Sequence, residues 1–319
     1  MLVYSIPMRN RFRGITVREG VLLEGPAGWG EFCAFLDYSD EECVPWLACA
    51  LEAAEQGWPA PVRSRIPVNC TVPVVSPERA HDIVARSGCA TAKVKVADPG
   101  TPPADDLARV EAVRDALGPS GAIRVDANMA WDVDTAVTAI RELDRAAGGL
   151  EYVEQPCPSI EELAAVRRRV DVRIAADESI RRAEDPLKVA VAGAADVAVI
   201  KVAPLGGVRR ALAVAEACGL PCVVSSAVET SVGMAAGLAL AAALPELDFA
   251  CGLGTLPLLA GDVTTDSLVP VDGHLPVPTR APEPDRFTDH PASPTTTAHW
   301  TARLDRVRAA GRGRGLGRP

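Results

Sequence analysis

The sequence predicts a (β/α)8-type barrel with a small α+β capping domain at its N-terminal end. From residue 66 onward, short apolar runs rich in valine and isoleucine alternate with helical segments, which favours parallel strands joined by right-handed crossovers. Five of the runs end in a charged residue, so that the charges are 23 to 31 residues apart, at Lys95, Asp126, Glu154, Asp177 and Lys201. One barrel unit takes about 25 to 30 residues, and these charges would therefore meet at one end of a single barrel.

Residues 1–65 do not follow the barrel repeat. Residues 15–24 alternate between apolar and polar side chains as strands do, residues 25–28 supply a turn, and another strand follows. Ser39 can cap a helix whose first residues are acidic, and that helix should continue to about Gln56. A module of this size cannot close a barrel, so we predict that it forms a cap over one.

Residues 66–255 are predicted to form the barrel itself. Its eight strands are expected at residues 68–72, 91–97, 123–128, 151–155, 173–177, 197–202, 222–226 and 249–253. The helices between them are expected at residues 77–87, 105–117, 132–147, 185–193, 207–218 and 231–244, with one more that begins at residue 159. Ser76, Asp132 and the Ser159–Glu162 pair are predicted as N-cap residues for three of these helices.

Two segments follow the barrel. Residues 256–280 are predicted to return to the N-terminal module and pack on it, so the capping domain would consist of residues 1–65 with 256–280. From residue 281 the composition turns to Pro, Thr, Asp and Arg, and we predict that residues 281–319 are largely a disordered tail. Within this tail, residues 299–310 could form a helix.

The composition is that of a soluble globular protein, with 48% hydrophobic and 24% charged residues. The net charge of −9 argues against nucleic acid as a partner. The longest nearly charge-free stretch, residues 231–244, is too short to span a bilayer, and the N-terminus lacks the pattern of a signal peptide. Nine cysteines without a C-x-x-C pair suit a reducing compartment. We therefore expect a cytoplasmic protein without a membrane or nucleic-acid partner, and its oligomeric state stays open.

Lys93 and Lys95 lie in one β-branched run, and the two-residue period of a strand puts both on the same face. Two neighbouring ammonium groups require acids nearby, which Asp126, Glu154 and Asp177 can supply. Three carboxylates that converge cannot all stay ionised without a cation between them. Oxygen ligands suit Mg²⁺, with Mn²⁺ as an alternative, and the four histidines fall elsewhere in the chain, which argues against a zinc hydrolase.

Lys95 and Lys201 belong to the second and sixth barrel strands, so in a closed ring of eight they face one another. A metal between two opposed lysines suits the removal of a proton beside a substrate carboxylate. A free lysine has a pKa of about 10.4, and burial with a neighbouring cation such as Lys93 would lower the pKa of Lys95. Asn128, two residues beyond Asp126 on the same face, is a candidate contact to the ligands or the substrate.

The Lys-Val-Lys run, the Asp, Glu, Asp series and the sixth-strand lysine together resemble the enolase superfamily and, within it, the muconate-lactonising-enzyme subgroup. The resemblance implies a modified, enolase-like (β/α)8 barrel with a cap, and it extends from the cap sequence Gly28-Trp-Gly-Glu31 to about residue 280. Enolase-superfamily sites are known to use a lysine or histidine base with Mg²⁺. The stretches at residues 225–233 and 252–255 are most similar to o-succinylbenzoate synthases of the actinobacterial type.

The resemblance implies a chemical role for each of the five strand-end charges. Asp126, Glu154 and Asp177 would hold Mg²⁺. Lys95 would remove the α-proton, and Lys201 would stabilise the resulting enediolate from the opposite face. Loss of a β-hydroxyl as water would then convert 2-succinyl-6-hydroxy-2,4-cyclohexadiene-1-carboxylate into o-succinylbenzoate for menaquinone biosynthesis, which is a hydro-lyase reaction.

Further roles are expected for residues around this centre. Lys93 would support the neighbouring base, and Arg9 and Arg11 in the cap could meet a substrate carboxylate. By strand alternation Glu178 should point away from the metal, and Glu229 is interpreted as a helix cap or an ion-pair partner. Substrate contacts are expected at the ends of strands seven and eight, from Ser225, Ser226, Gly254 and Thr255.

Several alternatives remain open at this stage. Racemisation of an N-acyl amino acid, or epimerisation of a dipeptide, would use the same metal and lysines, with Lys201 returning the proton. Dipeptide epimerases carry Asp-x-Asp at the end of strand eight, where this chain has Gly252-Leu-Gly-Thr255, which counts against them. Lactonisation of muconate is a further alternative. A Schiff-base aldolase that uses Lys201 and a non-catalytic barrel are different classes, and the three converging acids argue against both. Substrate choice depends on loops rather than on the metal and lysines.

Overall fold

The computed structural model describes residues 1–181 and 188–312 of the chain. It begins with a three-stranded antiparallel sheet followed by one helix. The strands are β1 (Leu2–Phe12), β2 (Ile15–Gly25) and β3 (Gly28–Phe32), and the helix is α1 (Val44–Glu55). β2 is the central strand, and the predicted turn at residues 25–28 joins it to β3. β1 is an addition to the elements predicted from the sequence.

The first helix begins later than predicted, at Val44 rather than beside Ser39. Ser39 caps a short turn instead. Its hydroxyl accepts a hydrogen bond from the backbone N–H of Glu42 at 3.2 Å, and its own N–H donates to the Glu42 carboxylate at 2.9 Å. Ser39 therefore acts as a cap, but the two reciprocal hydrogen bonds close a turn that precedes the helix.

Eight parallel strands form the barrel within the described residues, and the predicted fold class is confirmed. They are β4 (Arg65–Val72), β5 (Thr91–Lys95), β6 (Ala122–Asp126), β7 (Tyr152–Glu154), β8 (Ile174–Ala176), β9 (Val197–Ile200), β10 (Cys222–Val224) and β11 (Cys251–Gly254). Their order around the barrel is β10-β9-β8-β7-β6-β5-β4-β11. A hydrogen bond from the Ser226 N–H to the Gly252 carbonyl at 2.9 Å joins the two ends of this order.

Helices connect the successive barrel strands. They are α2 (Pro77–Ser87), α3 (Pro103–Leu117), α4 (Val133–Ala147), α5 (Ile160–Arg167), α6 (Glu178–Arg181), α7 (Lys188–Val191), α8 (Val202–Leu205), α9 (Val208–Cys218) and α10 (Ser231–Ala243). The predicted caps are confirmed: Ser76 and Asp132 accept from backbone N–H groups of the first turns of α2 and α4, and Ser159 forms a capping box with Glu162. The start predicted for a helix at residue 185 lies outside the described residues.

The strand register brings the predicted charges to one level. Lys95 of β5 pairs with Asp126 of β6, and Asp126 pairs with Glu154 of β7. All three lie at the carboxyl ends of their strands, where parallel barrels place their chemistry. Asp177 follows the end of β8, and Lys201 follows the end of β9.

Two glycines allow the last strand to approach its neighbours closely. A Cβ atom on Gly252 would lie 2.5 Å from the hydroxyl oxygen of Ser225, and one on Gly254 would lie 2.5 Å from the backbone oxygen of Asn69. Neither contact is possible for a larger residue without a shift of the surrounding chain. The glycines of β11 therefore have a structural reason that is separate from any contact with substrate.

The capping sheet and α1 are anchored to the barrel by buried charged groups. Arg18 of β2 donates to the backbone carbonyl of Val228 at 2.9 Å. Glu31 of β3 accepts from the Thr230 and Gly233 N–H groups at 3.2 and 2.9 Å, at the start of α10. In the same way, Glu52 of α1 accepts from the first N–H groups of α9. Two barrel helices thus have their N-terminal N–H groups satisfied by carboxylates of the N-terminal module.

The segment after the barrel contacts both parts of the molecule. Met8 of β1 pairs with Leu259, and Arg9 donates to the Leu259 carbonyl at 3.0 Å. Farther along, strand β12 (His274–Pro276) runs antiparallel to β4. No helix within the described residues has the length and apolar character needed to cross a membrane.

The helix allowed at residues 299–310 is present and is longer, as α11 (Pro294–Arg312), so the prediction that the tail from residue 281 is largely disordered is wrong for this segment. Trp300 of α11 is buried and meets Phe32 edge-on at 5.9 Å between ring centroids. Arg303 is also buried and donates to the carbonyls of Ala34 and Phe35 at 3.0 and 2.7 Å. The buried face of α11 is narrow and includes Arg303. A composition rich in arginine indicates exposed side chains, so this packing was not predicted from the sequence. Residues 313–319 lie outside the described residues.

Candidate active site

The carboxylates predicted as metal ligands converge with three lysines inside the mouth of the barrel. Lys93 lies 2.9 and 3.0 Å from the two carboxylate oxygens of Glu154 and 3.4 Å from Asp126. Lys95 is also in contact with Asp126. The three carboxylates are at most 1% exposed and the lysines at most 9%, so these charges interact with little screening by water.

The sixth-strand lysine is paired in the same way on the other side of the ligand set. Lys201 Nζ lies 2.5 Å from the Asp177 carboxylate. Lys95 and Lys201 line the same small cavity of about 20 Å³. Both lysines therefore border one common space in the mouth of the barrel.

The electrostatic environment gives the two lysines of β5 different properties. Burial would lower the pKa of Lys93, but the charges of Glu154 and Asp126 raise it, so this lysine stays charged. Burial lowers the pKa of Lys95; the charge of Asp126 opposes the shift and that of Lys93 reinforces it. A lysine with a lowered pKa is suited to act as a base.

Asp126 and Glu154 also differ from one another in the direction in which their pKa values are shifted. Burial would raise the pKa of Asp126, but the ammonium groups of Lys95 and Lys93 hold it well below its usual range. For Glu154, burial and then the charge of Asp126 raise the pKa to about 7. The charge of Asp177 adds to this shift, against the opposing charge of Lys93. Burial first, and the charges of the other two acids after it, thus disfavour the ionised form of Glu154.

A divalent cation fits this donor set by its chemistry. The three side chains offer only oxygen donors, and a cation among them would relieve the repulsion that raises the pKa of Glu154. Within residues 1–181 and 188–312, no group of three Asp, Glu, His or Cys side chains is already arranged as a metal site. Lys95 and Lys201 lie against Asp126 and Asp177, so metal binding requires these ammonium groups to move away from the carboxylates.

Asn128 connects the candidate base to a carboxylate that the sequence analysis placed elsewhere. Lys95 donates to Asn128 Oδ1 at 2.7 Å, and the Asn128 amide donates to Glu178 Oε1 at 3.3 Å. The expectation that Glu178 points away from the site is wrong. Strand β8 ends at Ala176, and Glu178 begins helix α6, so strand alternation does not apply to it.

Gln155 is a site residue that sequence reasoning missed. Its side-chain oxygen accepts from the N–H groups of Asp177 and Ser179 at 2.9 and 3.2 Å, and its NH₂ group donates to the Cys157 carbonyl. The residue is fully buried and has a positive φ of 40°. The signal in the sequence is a polar residue that directly follows a strand-end acid and precedes Pro156. Gln155 holds the backbone that carries Asp177.

Only some of the residues predicted to contact the substrate line the same cavity. Ser225, Ser226 and Thr255 line the cavity above the lysines, as does Gly252. Gly254 does not line this cavity; it borders a separate cavity of about 340 Å³. The N-cap of α10 is Thr230 rather than Glu229, whereas the charges of Glu229 and Arg18 do act on one another. Glu229 accepts from the Ser226 hydroxyl and the Ala227 N–H at 2.5 and 2.8 Å.

The loop between β1 and β2 covers the site. The ring of Phe12 lies 5.2 Å from Lys95 Nζ, and the Arg13 guanidinium lies 4.7 Å from the centre of the Phe35 ring. Arg11 borders a neighbouring cavity of about 570 Å³ that is also lined by Lys95. Phe12 and Arg13 were not identified from the sequence, because register and loop position decide which cap residues reach the barrel.

Comparison with known proteins gives the same family for both parts of the chain. Residues 76–282 match the family model described as Enolase C-terminal domain-like, and residues 3–54 match the one described as Enolase N-terminal domain-like. An o-succinylbenzoate synthase of Thermobifida fusca is 64% identical over 307 residues, which cover 96% of this chain and 95% of that protein. An o-succinylbenzoate synthase of Mycolicibacterium smegmatis is 56% identical over 306 residues, which cover 96% of this chain and 93% of that protein.

Solved structures show the same architecture. Muconate cycloisomerase from Pseudomonas fluorescens superposes with a TM-score of 0.73 at 24% identity, over 92% of this chain and 97% of that one. The L-Ala-D/L-Glu epimerase from Bacillus subtilis superposes with a TM-score of 0.72 at 26% identity, over 88% of this chain and 95% of that one. Since their reactions differ, the shared fold does not by itself select a substrate.

Proposed function

Because the chain belongs to the enolase superfamily, we propose that it is a magnesium-dependent o-succinylbenzoate synthase. The observation that carries the choice of reaction is the 64% identity with the Thermobifida fusca synthase over nearly the full length of both chains. The site supports it with two lysines that line one cavity beside three converging carboxylates. The substrate would be 2-succinyl-6-hydroxy-2,4-cyclohexadiene-1-carboxylate.

In this proposal Lys95 is the base. Its lowered pKa supplies the neutral amine, which takes the proton from the ring carbon that bears the carboxylate. The C–O bond on the neighbouring ring carbon then breaks, and the departing hydroxyl takes up the proton that Lys95 has removed and now holds on its ammonium group, so that one water leaves and Lys95 is neutral again. The ring gains its third double bond, and the product is o-succinylbenzoate.

The other charged groups hold or balance this reaction. Asp126, Glu154 and Asp177 would hold Mg²⁺, or Mn²⁺ in its place, and the bound ion supplies positive charge beside the substrate carboxylate. Lys201 provides an ammonium group on the opposite side of the cavity from the base. Lys93 stays charged, keeps Glu154 in position and helps to lower the pKa of Lys95.

The cavity that Lys95 and Lys201 line is too small to admit the proposed substrate as it stands. Its volume of about 20 Å³ leaves room for about one water molecule, which is far less than the cyclohexadiene substrate needs. The Phe12–Arg13 loop therefore has to withdraw before a substrate can reach Lys95 and Lys201. Closure of this loop afterwards would exclude water from the reacting carbon.

We further propose a cytoplasmic location and a role in menaquinone biosynthesis. All nine cysteines are free, and eight of them are buried, which suits a reducing compartment. The net charge of −9 supports a small-molecule substrate rather than nucleic acid.

The experiment that tests the function is product analysis after incubation of the cyclohexadiene with protein and Mg²⁺. The expected product is o-succinylbenzoate, and chelation of the metal should stop its formation. The closest alternative is racemisation of an N-acyl amino acid by the same two lysines. An Mg²⁺-loaded protein that exchanges the α-proton of N-succinyl amino acids in D₂O but leaves the cyclohexadiene unchanged would overturn the synthase proposal.

A further inference from the structure

Thr255 belongs to a chain of three side chains that ends on a buried carboxylate. Ser226 Oγ lies 2.8 Å from Thr255 Oγ1 and 2.5 Å from Glu229 Oε2, and it accepts from the Val228 N–H at 2.7 Å. Ser226 and Thr255 line the cavity above the lysines, whereas Glu229 lies behind them and is 5% exposed. Val228 has a φ of 64°, which is strained for a β-branched residue. The local backbone thus holds an unfavourable conformation in which its N–H meets Ser226.

The partners of Ser226 determine the direction of every hydrogen bond in this chain. A serine hydroxyl has one proton and two lone pairs. The Val228 N–H can only donate, so it takes one lone pair. An ionised carboxylate can only accept, and Glu229 Oε2 accepts both from the Ala227 N–H at 2.8 Å and from the Ser226 hydroxyl, so the single proton of Ser226 is directed to Glu229. The remaining lone pair of Ser226 can only accept, and Thr255 is therefore the donor in the third hydrogen bond.

With its proton committed to Ser226, the Thr255 hydroxyl presents only lone pairs to the cavity. We propose that Thr255 accepts a hydrogen bond from a neutral donor group of the substrate, and that Ser226 and Glu229 are positioning residues that impose this polarity. The inference rests on the proposed function, in which the substrate has two carboxylates, one ketone and one hydroxyl. That hydroxyl is the substrate's single hydrogen-bond donor, and it is the group that leaves as water.

This polarity suits the departure of the hydroxyl. When the hydroxyl donates to Thr255, its own lone pairs point away from Thr255 and remain free to take up the proton with which it leaves. Thr255 transfers no proton, so the atoms and electrons of the proposed reaction balance as before. A ketone or carboxylate oxygen placed at the same point would face the lone pairs of Thr255 without a proton between them, which is unfavourable in a buried site.

The test compares turnover of the hydroxylated substrate with binding of the product, which lacks the hydroxyl. Thr255→Val keeps the shape of the side chain and removes the acceptor, so kcat/KM should fall by about 10- to 100-fold. The Kd of o-succinylbenzoate should change by less than about twofold, because the product offers no donor at this point. Thr255→Ser keeps a hydroxyl and should recover most of the loss. Thr138→Val, at an exposed threonine of α4, is the matched control and should change neither quantity.

Substitution of Ser226 or Glu229 should lower kcat/KM and leave product binding nearly unchanged. Ser226→Ala leaves the Thr255 hydroxyl free to turn its proton into the cavity, so kcat/KM should fall while the Kd of the product stays near the wild-type value. Glu229→Gln retains an oxygen that can accept from Ser226 and should lose less than Glu229→Leu. A general structural defect would instead weaken product binding in all of these variants.

Two results would overturn the inference. One is a Thr255→Val protein with unchanged kcat/KM, and the other is equal weakening of turnover and product binding. If the wild-type protein does not convert the cyclohexadiene, the proposed function fails on its own. The role of Thr255 is then decided by the binding of an N-acyl amino acid and its N-methyl derivative. A preference for the N–H compound that Thr255→Val abolishes supports the acceptor role, and an unchanged preference rejects it.

Discussion

The ammonium nitrogen of Lys93 lies 2.9 and 3.0 Å from the two carboxylate oxygens of Glu154, so one buried lysine holds both oxygens of a candidate metal ligand. Its neighbour on the same strand face, Lys95, contacts Asp126 instead. The partners of Lys93 raise its pKa against the effect of burial, whereas burial prevails for Lys95 and lowers its pKa. A single strand therefore carries one lysine that remains charged and one that can act as a base.

Replacement of Lys93 by methionine should change the pH dependence of catalysis. Lys95 is a base only when it is neutral, so kcat/KM rises as the pH passes through its pKa. The charge of Lys93 adds to the effect of burial in lowering that pKa, and its removal should therefore move the rising limb of the kcat/KM profile to higher pH. Lys93→Arg, which keeps the charge, should show a smaller shift. Lys188→Met, at an exposed lysine, is the control, and an unshifted limb in Lys93→Met would contradict the assignment.

The raised pKa of Glu154 predicts how the stability of the metal-free protein depends on pH. Burial, and then the charge of Asp126, raise this pKa to about 7, against an ordinary value of about 4.3. Between these values the folded protein retains a proton that the unfolded chain has lost. The free energy of unfolding should therefore fall as the pH rises through this window. Thermal unfolding at about pH 5 and about pH 8 measures the effect, which should be smaller in Glu154→Gln than in the wild-type protein.

Mg²⁺ should reverse this loss of stability, because it binds the ionised carboxylates. The increase in melting temperature on addition of Mg²⁺ should be larger at the higher pH, and saturation at 100 times the Kd corresponds to about 2.7 kcal/mol. Glu161→Gln, at an exposed acid of α5, serves as the control and should respond to Mg²⁺ like the wild-type protein. The metal assignment is wrong if Glu154→Gln shows the full wild-type response.

Gln155→Met should weaken metal binding without removing a ligand. Gln155 accepts from the backbone N–H of Asp177 and Ser179, and groups that orient metal ligands typically contribute about 10- to 100-fold to affinity or activity. Titration of the apoprotein with Mn²⁺, followed by its paramagnetic resonance signal, measures the affinity directly. Gln56→Met, at an exposed glutamine, should bind Mn²⁺ as the wild-type protein does. Equal affinity in the two variants would show that Gln155 does not position Asp177.

Much of the barrel and its charges could be predicted from the sequence, because the features involved are local and periodic. A strand run that ends in Asp126 or Glu154 signals both the strand and the side of the sheet on which its last residue lies. The register that aligns Lys95, Asp126 and Glu154 follows from parallel neighbours of similar length. Both features depend only on short stretches of sequence and on the length of one barrel unit, about 25 to 30 residues.

The residues that were misplaced depend on where a segment ends or on contacts between distant parts of the chain. Glu178 was assigned by strand alternation, but the strand stops at Ala176 and a helix turns the side chain toward Asn128. Glu229 accepts a hydrogen bond from the Ser226 hydroxyl, which lies three residues earlier in the chain. Trp300 is buried because it packs edge-on against Phe32 of the capping sheet, a residue far from it in the sequence.

Trp300→Ala should destabilise the protein and show that α11 is part of the fold. The side chain is 1% exposed and its indole N–H donates to Glu19 at 3.1 Å. Removal of a buried tryptophan typically costs about 3 to 5 kcal/mol of unfolding free energy. Urea unfolding followed by circular dichroism measures the loss, and His299→Ala, at the exposed neighbouring position, is the matched control. If Trp300→Ala unfolds at the same urea concentration as the wild-type protein, α11 does not contribute to the stability of the fold.

If Lys95 removes the proton that starts the reaction, the Lys95→Ala variant should lose turnover while it still binds the product. Conversion of the cyclohexadiene to the aromatic product is followed by ultraviolet absorbance in the presence of Mg²⁺, and product binding is measured on the same preparation. We expect rapid aromatisation by the wild-type protein and a loss of about 10²- to 10⁴-fold in the variant, with product still bound. Turnover by Lys95→Ala within tenfold of the wild-type rate would contradict the assignment of Lys95 as the base.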